Sequence, residues 1–403
     1  MKKNQQALFI ITTLKKHGYV AYFAGGAPRD IILKRPIDDI DIATDASPNV
    51  IRRLFKKTVP IGIAFGIVLV IIDNKKFEVA TFRKDIGYLD GRHPAKITFT
   101  TAQEDAKRRD FTINGMFYDP LEDKILDFVG GQKDLKLGVI RAIGDPQERI
   151  KEDRLRMIRA VRFATRFNFK IEENTKRAIL LYSSDLFPHV AIERVWQEFN
   201  KIASNNTLSS SFLLLHELGL LATIFPSLKN VTLEELKKRQ MPFKKFPQNT
   251  PLILYIISLF SNLSSKEAEI LCKKLKISNK ELKVVKLFYL ANELLEKETE
   301  DHLWAHFFTH DDADMLLEVM SAFHKREKIT NVIKKKIILQ KAILRLKENN
   351  PVVKADHLEK HGIKPGKSMG LLLKEAIKIS INDFLEHPTP IIAKLKKTHL
   401  WPK

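Results

Sequence analysis

The sequence predicts an α+β fold, with a small mixed sheet and its helices in residues 1–145 and an all-helical remainder. Three observations lead there. Runs rich in β-branched residues, such as FGIVLVII (Phe65–Ile72) and KFEVATF (Lys76–Phe82), are concentrated before Pro146. Beyond it, apolar residues recur at helical spacing, as in RLRMIRAVRF. A chain of 403 residues also exceeds what one hydrophobic core ordinarily serves, so more than one domain is expected.

The head begins with a helix over Gln5–Lys16, a strand in YVAYFAG, and a short helix opening at Gly25-Gly26. IDIAT supplies the next strand. DASPNVIRRLF then starts a helix, with Ser47 as N-cap and Pro48 at the first helical position, where its missing N–H costs nothing. The two β-branched runs form a hairpin at Asp73-Asn74. After Pro146 no strand is expected; loops such as FPQNTP and NNPVVKAD separate helices, with no fixed-period repeat and no low-complexity tract.

Hydrophobic residues make up 44% and charged residues 29%, which marks an ordered chain. A single cysteine, Cys272, excludes a disulfide framework or a cysteine-based zinc site and fits a reducing compartment. The longest apolar run, PLILYIISLF, has about half the ~20 residues a membrane span needs. The amino-terminal MKKNQQ is too polar for a signal peptide, so a cytoplasmic protein is expected. Lys and Arg number 69 against 48 Asp and Glu; a formal charge of +21 favours a polyanionic partner.

Alternate residues of a strand share a face, so Asp39 and Asp41 are expected to project together, with Asp38 opposite. Two such carboxylates repel unless a cation lies between them. Mg²⁺ favours carboxylate, phosphate and water oxygens, so the pair suits a nucleotide-bound metal. Glu78, in FEVATF, offers a third carboxylate from a neighbouring strand. Gly25 and Gly26, between strand and helix, allow backbone N–H groups close to a phosphate, and Arg29 adds charge there. Together these describe a triphosphate cradle beside a metal, suited to nucleotidyl transfer.

GGAPRD with DIDIAT, FEVATFRKD, YLDGRHPAKITF, EDAKRRDFTINGM, DFVGGQKDL and EDRLRMIRAVRF follow in one order. As a set they resemble the bacterial class II tRNA nucleotidyltransferases, the CCA-adding enzymes, and the related bacterial poly(A) polymerases. AIERVWQEF resembles a further neck motif. The resemblance implies a polymerase-beta-like head (1–145), a helical neck for nucleotide recognition (146–205), a helical body (206–330) and a tRNA-binding tail (331–403). It implies that Asp39 and Asp41 hold Mg²⁺, with Glu78 as third catalytic carboxylate. Gly25, Gly26, Arg29, Arg109, Asp153, Arg156, Arg159 and Arg162 would bind nucleotide. Pro28 stands where the family carries an aliphatic residue, and removes one donor from the cradle.

Asp153 and Arg156 have chemistry of their own. Cytosine and adenine each present an amine donor beside a ring-nitrogen acceptor, matching a carboxylate next to a guanidinium. Uracil and guanine reverse that order and meet repelling partners. Three residues apart on one helix, the two side chains would meet a single base edge. An ideal helix puts Arg162 on the far side from Asp153, which leaves Arg159 and Arg162 to orient neighbours or reach phosphate. DIGYLDGRHPAKITF reads as a polar loop, and the resemblance links it to switching from C to A addition.

Two further patterns are expected to be inert. GIKPGKS (Gly362–Ser368) is one residue short of a phosphate-binding loop, and His302, His306 and His310 read as a helix surface. The expected activity is template-independent addition of CCA to tRNA 3′ ends from CTP and ATP, with the tRNA acceptor end and elbow as contacts and with no membrane or DNA partner. Poly(A) polymerase or a partial CC- or A-adding enzyme is the alternative. A non-enzymatic RNA-binding protein is disfavoured by the intact aspartate pair. The oligomeric state is not legible.

Overall fold

The protein is described here by a computed structural model, covering residues 2–37, 39–88, 94–297 and 299–402. Asp38 and the centre of the DIGYLDGRHPAKITF segment lie outside the described residues. The chain forms two compact units, Met1–Leu233 and Glu234–Lys403. The expected head and neck fall in the first; the expected body straddles the division.

The first unit opens with α1 (Lys2–Lys16), β1 (Ala21–Ala24), α2 (Gly26–Ile32), β2 (Asp41–Thr44) and α3 (Pro48–Leu54). The Ser47 hydroxyl accepts the Val50 N–H, as its N-cap position requires. Then come β3 (Thr58–Gly62), β4 (Ile67–Ile72), β5 (Lys75–Thr81), β6 (Arg83–Tyr88), β7 (Pro94–Phe99) and α4 (Ala102–Lys107). The β4–β5 turn places Asp73 and Asn74 at φ 48° and 62°, the left-handed pair that matches strand twist in a two-residue hairpin. β8 (Phe117–Asp119), β9 (Lys124–Leu126), α5 (Gly131–Leu137) and β10 (Val139–Ile140) complete the head.

The main sheet has the order β3-β4-β5-β2-β1-β8-β9, antiparallel except for the β2–β5 pair. One face carries Phe23, Ile42, Val79, Val68 and Val70 against Ile10, Ile11 and Leu14 of α1 and Ile51 of α3. The other packs Ala24 and Ala43 with Phe82, Ala106 and Phe117. Asp41 falls on this second face, in register with Ala24 at the last rung of the β1–β2 ladder.

Three expectations are corrected. Asp39 is not in the strand: β1 leaves the sheet at Gly25 to begin α2, so β2 has no β1 partner before Asp41. The segment read as a loop pairs its flanks as an antiparallel hairpin, from Arg83↔Phe99 to Tyr88↔Pro94, with Arg83 and Asp85 bonded to each other. Strands also do not end at Pro146, since β11 (Lys170–Ile171) pairs in parallel with β10.

The segment expected as neck holds α6 (Pro146–Glu152), α7 (Leu155–Phe167), α8 (Glu173–Tyr182) and α9 (Ile192–Ser204), followed by α10 (Leu208–Glu217) and α11 (Leu220–Ile224). Leu155, Ile158 and Val161 are buried on the inner face of α7, as their spacing requires.

The second unit is helical throughout its described residues: α12 (Leu233–Arg239), α13 (Leu252–Ile257), α14 (Ser265–Lys274), α15 (Asn279–Glu296), α16 (Asp301–Phe307) and α17 (Ala313–Met320), then α18 (Arg326–Ile338), α19 (Gln340–Lys347), α20 (Ala355–Glu359), α21 (Lys367–Asn382) and α22 (Pro388–Leu395). Ser264 with Glu267, and Ser278 with Glu281, form reciprocal capping boxes at α14 and α15. GIKPGKS is a turn whose last two residues start α21. His302 and His306 lie on α16, whereas His310 lies beyond its end. Among the described residues no three His, Cys, Asp or Glu side chains are grouped to hold a metal ion, and no helix is long and apolar enough to cross a membrane.

Candidate active site

A cavity of about 590 Å³ opens in the first unit where α2, α7, α9 and the segment following α4 approach the aspartate-bearing end of β2. Among the described residues its lining holds eight cationic side chains and five aspartates, a balance suited to a highly charged anion. It takes in ten of the eleven residues expected from sequence, the exception being Glu78.

Gly25 and the aspartates form its floor. Gly25 has φ 65°, open to glycine at little cost, and a Cβ there would lie 2.7 Å from Asp41 Oδ2. The backbone therefore lies against the carboxylate with no space for a side chain. Asp39 is exposed and Asp41 half-buried, and both line the cavity although only Asp41 is in the strand. Two hard carboxylates with room for phosphate and water oxygens fit the donor set of Mg²⁺. Glu78 is exposed on β5. The ladder pairs Ile42 with Val79 and Ala43 with Ala80, so one step back Glu78 shares the sheet face of Asp41.

Arg29 does not reach openly into this space. It is buried, donating to both Asp30 oxygens at 2.9 Å and to Asn114 Oδ1 at 2.6 Å, with its guanidinium 4.6 Å from the Phe167 ring centre. Pro28 lies in the first turn of α2, where an N–H would have no helical partner. Arg109 and its neighbour Arg108 are both held by Asp105, through Arg109 Nη2 at 3.0 Å and Arg108 Nε at 2.8 Å. Burial alone would raise the Asp105 carboxyl, but the two arginines hold it below its ordinary value.

The neck residues depart from the single-helix expectation. Asp153 is not on a helix with Arg156; it terminates α6 at φ −151° and ψ 102°, and α7 starts two residues later. Its Oδ1 accepts the Leu155 N–H at 3.1 Å, as an aspartate does at a helix start, and Oδ2 pairs with Arg194 of α9 at 2.7 Å. Arg156 donates to Glu152 and to the Arg149 carbonyl, both at 2.6 Å. Because Asp153 is off the helix, the calculated separation from Arg162 does not apply, and the same cavity holds both.

Arg159 and Arg162 are anchored by acids that no local spacing links to them. Arg159 pairs with Asp110, and Arg162 Nε donates to buried Glu198 at 2.6 Å. Burial would raise Asp110, but Arg159 and the Phe111 N–H bring it to about 2. Burial lowers Arg162 to about 10 despite Glu198. Lys201 Nζ at 3.0 Å and Arg159 Nη1 at 3.9 Å add a second and a third cation at Glu198. Asp105, Asp110 and Asn114 sit inside EDAKRRDFTINGM, so the quoted motif contained them; Glu198 and Arg194 sit inside or beside VWQEF, where only a fold separates them from a surface charge.

Residues 21–141 match the family described as Poly A polymerase head domain, and 168–232 that described as probable RNA and SrmB-binding site of polymerase A. The first unit therefore carries a head domain of the poly(A) polymerase type. A CCA-adding enzyme of Anoxybacillus flavithermus is 46% identical over 219 residues, 54% of this chain and 55% of that one, so this match spans about half the relative's length. A CCA-adding enzyme of Staphylococcus saprophyticus is 36% identical over 328 residues, covering 80% of this chain and 78% of the relative. The crystal structure of the Bacillus stearothermophilus CCA-adding enzyme in complex with CTP aligns with TM-score 0.78 and 28% identity over 98% of this chain and 96% of that one. The chain belongs to the CCA-adding enzyme family.

Proposed function

We propose that this protein adds CCA to the 3′ end of tRNA, one nucleotide at a time, from CTP and ATP, without a template strand. The observation that carries the reading is the convergence in one cavity of Asp39 and Asp41, carboxylates suited to a metal ion, with Asp153 and Arg156, a carboxylate and a guanidinium suited to a base edge.

Asp39 and Asp41 are the residues that would hold Mg²⁺, with Glu78 as a supplementary carboxylate on the same sheet face. When bound, the ion would supply charge stabilisation at the α-phosphate and acidify the attacking 3′-hydroxyl. The chain's own contribution is positioning and neutralisation. Gly25 and Gly26 let the triphosphate approach the backbone, while Arg108, Arg109, Arg159 and Arg162 counter its charge as pyrophosphate departs. Arg29, buried beneath, holds Asn114 and so stiffens this wall. Asp153 accepts from the amine of cytosine or adenine, and Arg156 donates to the ring nitrogen. The positive surface takes the tRNA acceptor end and elbow, with residues 331–403 as tail. The cytoplasm is the compartment that a chain with one cysteine, the buried Cys272, fits best.

The test is the product. Incubated with Mg²⁺, CTP, ATP and tRNA lacking its terminal trinucleotide, the protein should yield tRNA ending in CCA when sequenced. Tailing from ATP alone would assign it to poly(A) polymerase, and arrest at CC or growth only on CC ends would assign partial activity.

A further inference from the structure

Arg194 belongs to the motif AIERVWQEF and contacts the cavity through Asp153. It lies in the first turn of α9, 41 residues from Asp153, and its Nη2 meets Asp153 Oδ2 at 2.7 Å with both side chains 18% exposed. We infer that Arg194 is a positioning residue for base selection, holding the Asp153 carboxylate in the orientation that admits cytosine and adenine and rejects uracil. This rests on the reading of Asp153 and Arg156 as the base-recognition pair.

The argument begins with the backbone. Asp153 sits in the extended link between α6 and α7, so no helix sets the direction of its side chain. Two contacts do: the Leu155 N–H on Oδ1 and the Arg194 guanidinium on Oδ2. Acting on different oxygens, they set the plane of the carboxylate and leave each oxygen acceptor capacity for a base amine. The Leu155 contact alone permits rotation about the remaining bond. A rival cation lines the same cavity, Arg159, which already pairs with Asp110. Without Arg194 the carboxylate can swing toward Arg159, away from the Arg156 donors. The acceptor–donor order that discriminates cytosine from uracil would then be lost at its acceptor half.

A purely structural Arg194 would instead tie α9 to the α6–α7 link, and its loss would reduce every nucleotide's use alike. The two roles separate in kcat/KM for CTP, ATP and UTP on tRNA lacking its terminal nucleotides, measured on the full chain. Arg194→Ala should shrink the CTP-over-UTP ratio by at least about tenfold, the loss expected when a charge-assisted hydrogen bond stops orienting its acceptor. Arg194→Lys, which keeps a cation but not the planar fork, should restore part of the ratio, and it serves as the folded variant if alanine is not tolerated. An equal fall for all three nucleotides, or an unchanged ratio in both variants, overturns the inference. Asp153→Ala is run beside them. If it collapses the ratio and the Arg194 variants do not, this inference alone fails; if it leaves the ratio unmoved, the base-recognition reading fails and takes this one with it.

Discussion

Arg159 and Asp110 meet through two guanidinium nitrogens on one oxygen: Nε at 2.9 Å and Nη2 at 2.5 Å from Oδ2. The other oxygen accepts the Phe111 N–H at 2.8 Å and Asn114 Nδ2 at 3.2 Å. Asn114 in turn accepts from Arg29, so Arg159, Asp110, Asn114, Arg29 and Asp30 form one bonded chain from α7 to α2. This wall is a polar network whose members all have partners, the condition under which such a network rigidifies a site.

Removing the acid should be costly. Asp110→Ala strands Arg159 without its main counter-charge and is expected to lower unfolding stability by about 3 kcal/mol, read from urea midpoints at unchanged slope. The pH dependence follows from the sign of the shift. The folded carboxyl, at about 2, lies below its ordinary 3.8, so its contribution is present above the ordinary value and disappears as pH falls through about 2. Wild type should therefore lose on the order of 2 kcal/mol across this window that Asp110→Asn does not lose.

Gly25→Ala tests the floor of the cavity. At φ 65°, with Asp41 Oδ2 2.7 Å from the added methyl, the substitution should cost about 1 kcal/mol of stability and displace Asp41. Nucleotide incorporation should fall by at least about a hundredfold, since small misplacements of a reacting group carry that penalty. Retained activity in a primer-extension assay on tRNA would show that the close approach is not required.

The three carboxylates should rank by position. Asp41→Ala and Asp39→Ala should abolish incorporation while leaving tRNA affinity nearly unchanged in a filter-binding titration. Glu78→Gln, at the edge of the same sheet face, should lower kcat by about tenfold and raise the Mg²⁺ concentration for half-maximal rate. An unaltered Mg²⁺ dependence would remove Glu78 from the metal site.

Glu198 stabilises three cations, Arg162, Lys201 and, at 3.9 Å, Arg159. Glu198→Gln keeps its volume and removes its charge, leaving Arg162 buried and unneutralised. The expected loss is about 3 kcal/mol in denaturant unfolding. It should exceed that of Lys201→Ala severalfold, because Lys201 is largely exposed and its pair is worth little by itself.

How much was legible follows from the range of each interaction. The Ser47 cap, Pro48, the Asp73-Asn74 turn and the inner face of α7 are all legible in the sequence, because each depends on neighbours within a turn or a strand pair. The glycine pair and the aspartates are legible as one cradle, but the packing of Gly25 against Asp41 comes from the β1–β2 register, which no local signal specifies. Asp153 shows where local reading stops. Its motif reads as continuous helix, yet Asp153 takes the Leu155 N–H and breaks the helix in two. Its other oxygen is committed to Arg194, which no spacing rule connects to it.

The sequence by itself determined the α+β head with helical remainder, the metal-suited aspartates against a glycine turn, and the family through motifs in order. These are properties of short segments, and backbone sterics and side-chain chemistry act within a few residues. Tertiary structure alone decided which acid holds which arginine, that Arg29 is sealed beneath Phe167, and that Glu78 stands outside the cavity. Those outcomes turn on burial and charge pairing between distant elements, where a few tenths of a nanometre separate a buried ion pair from a solvated surface charge.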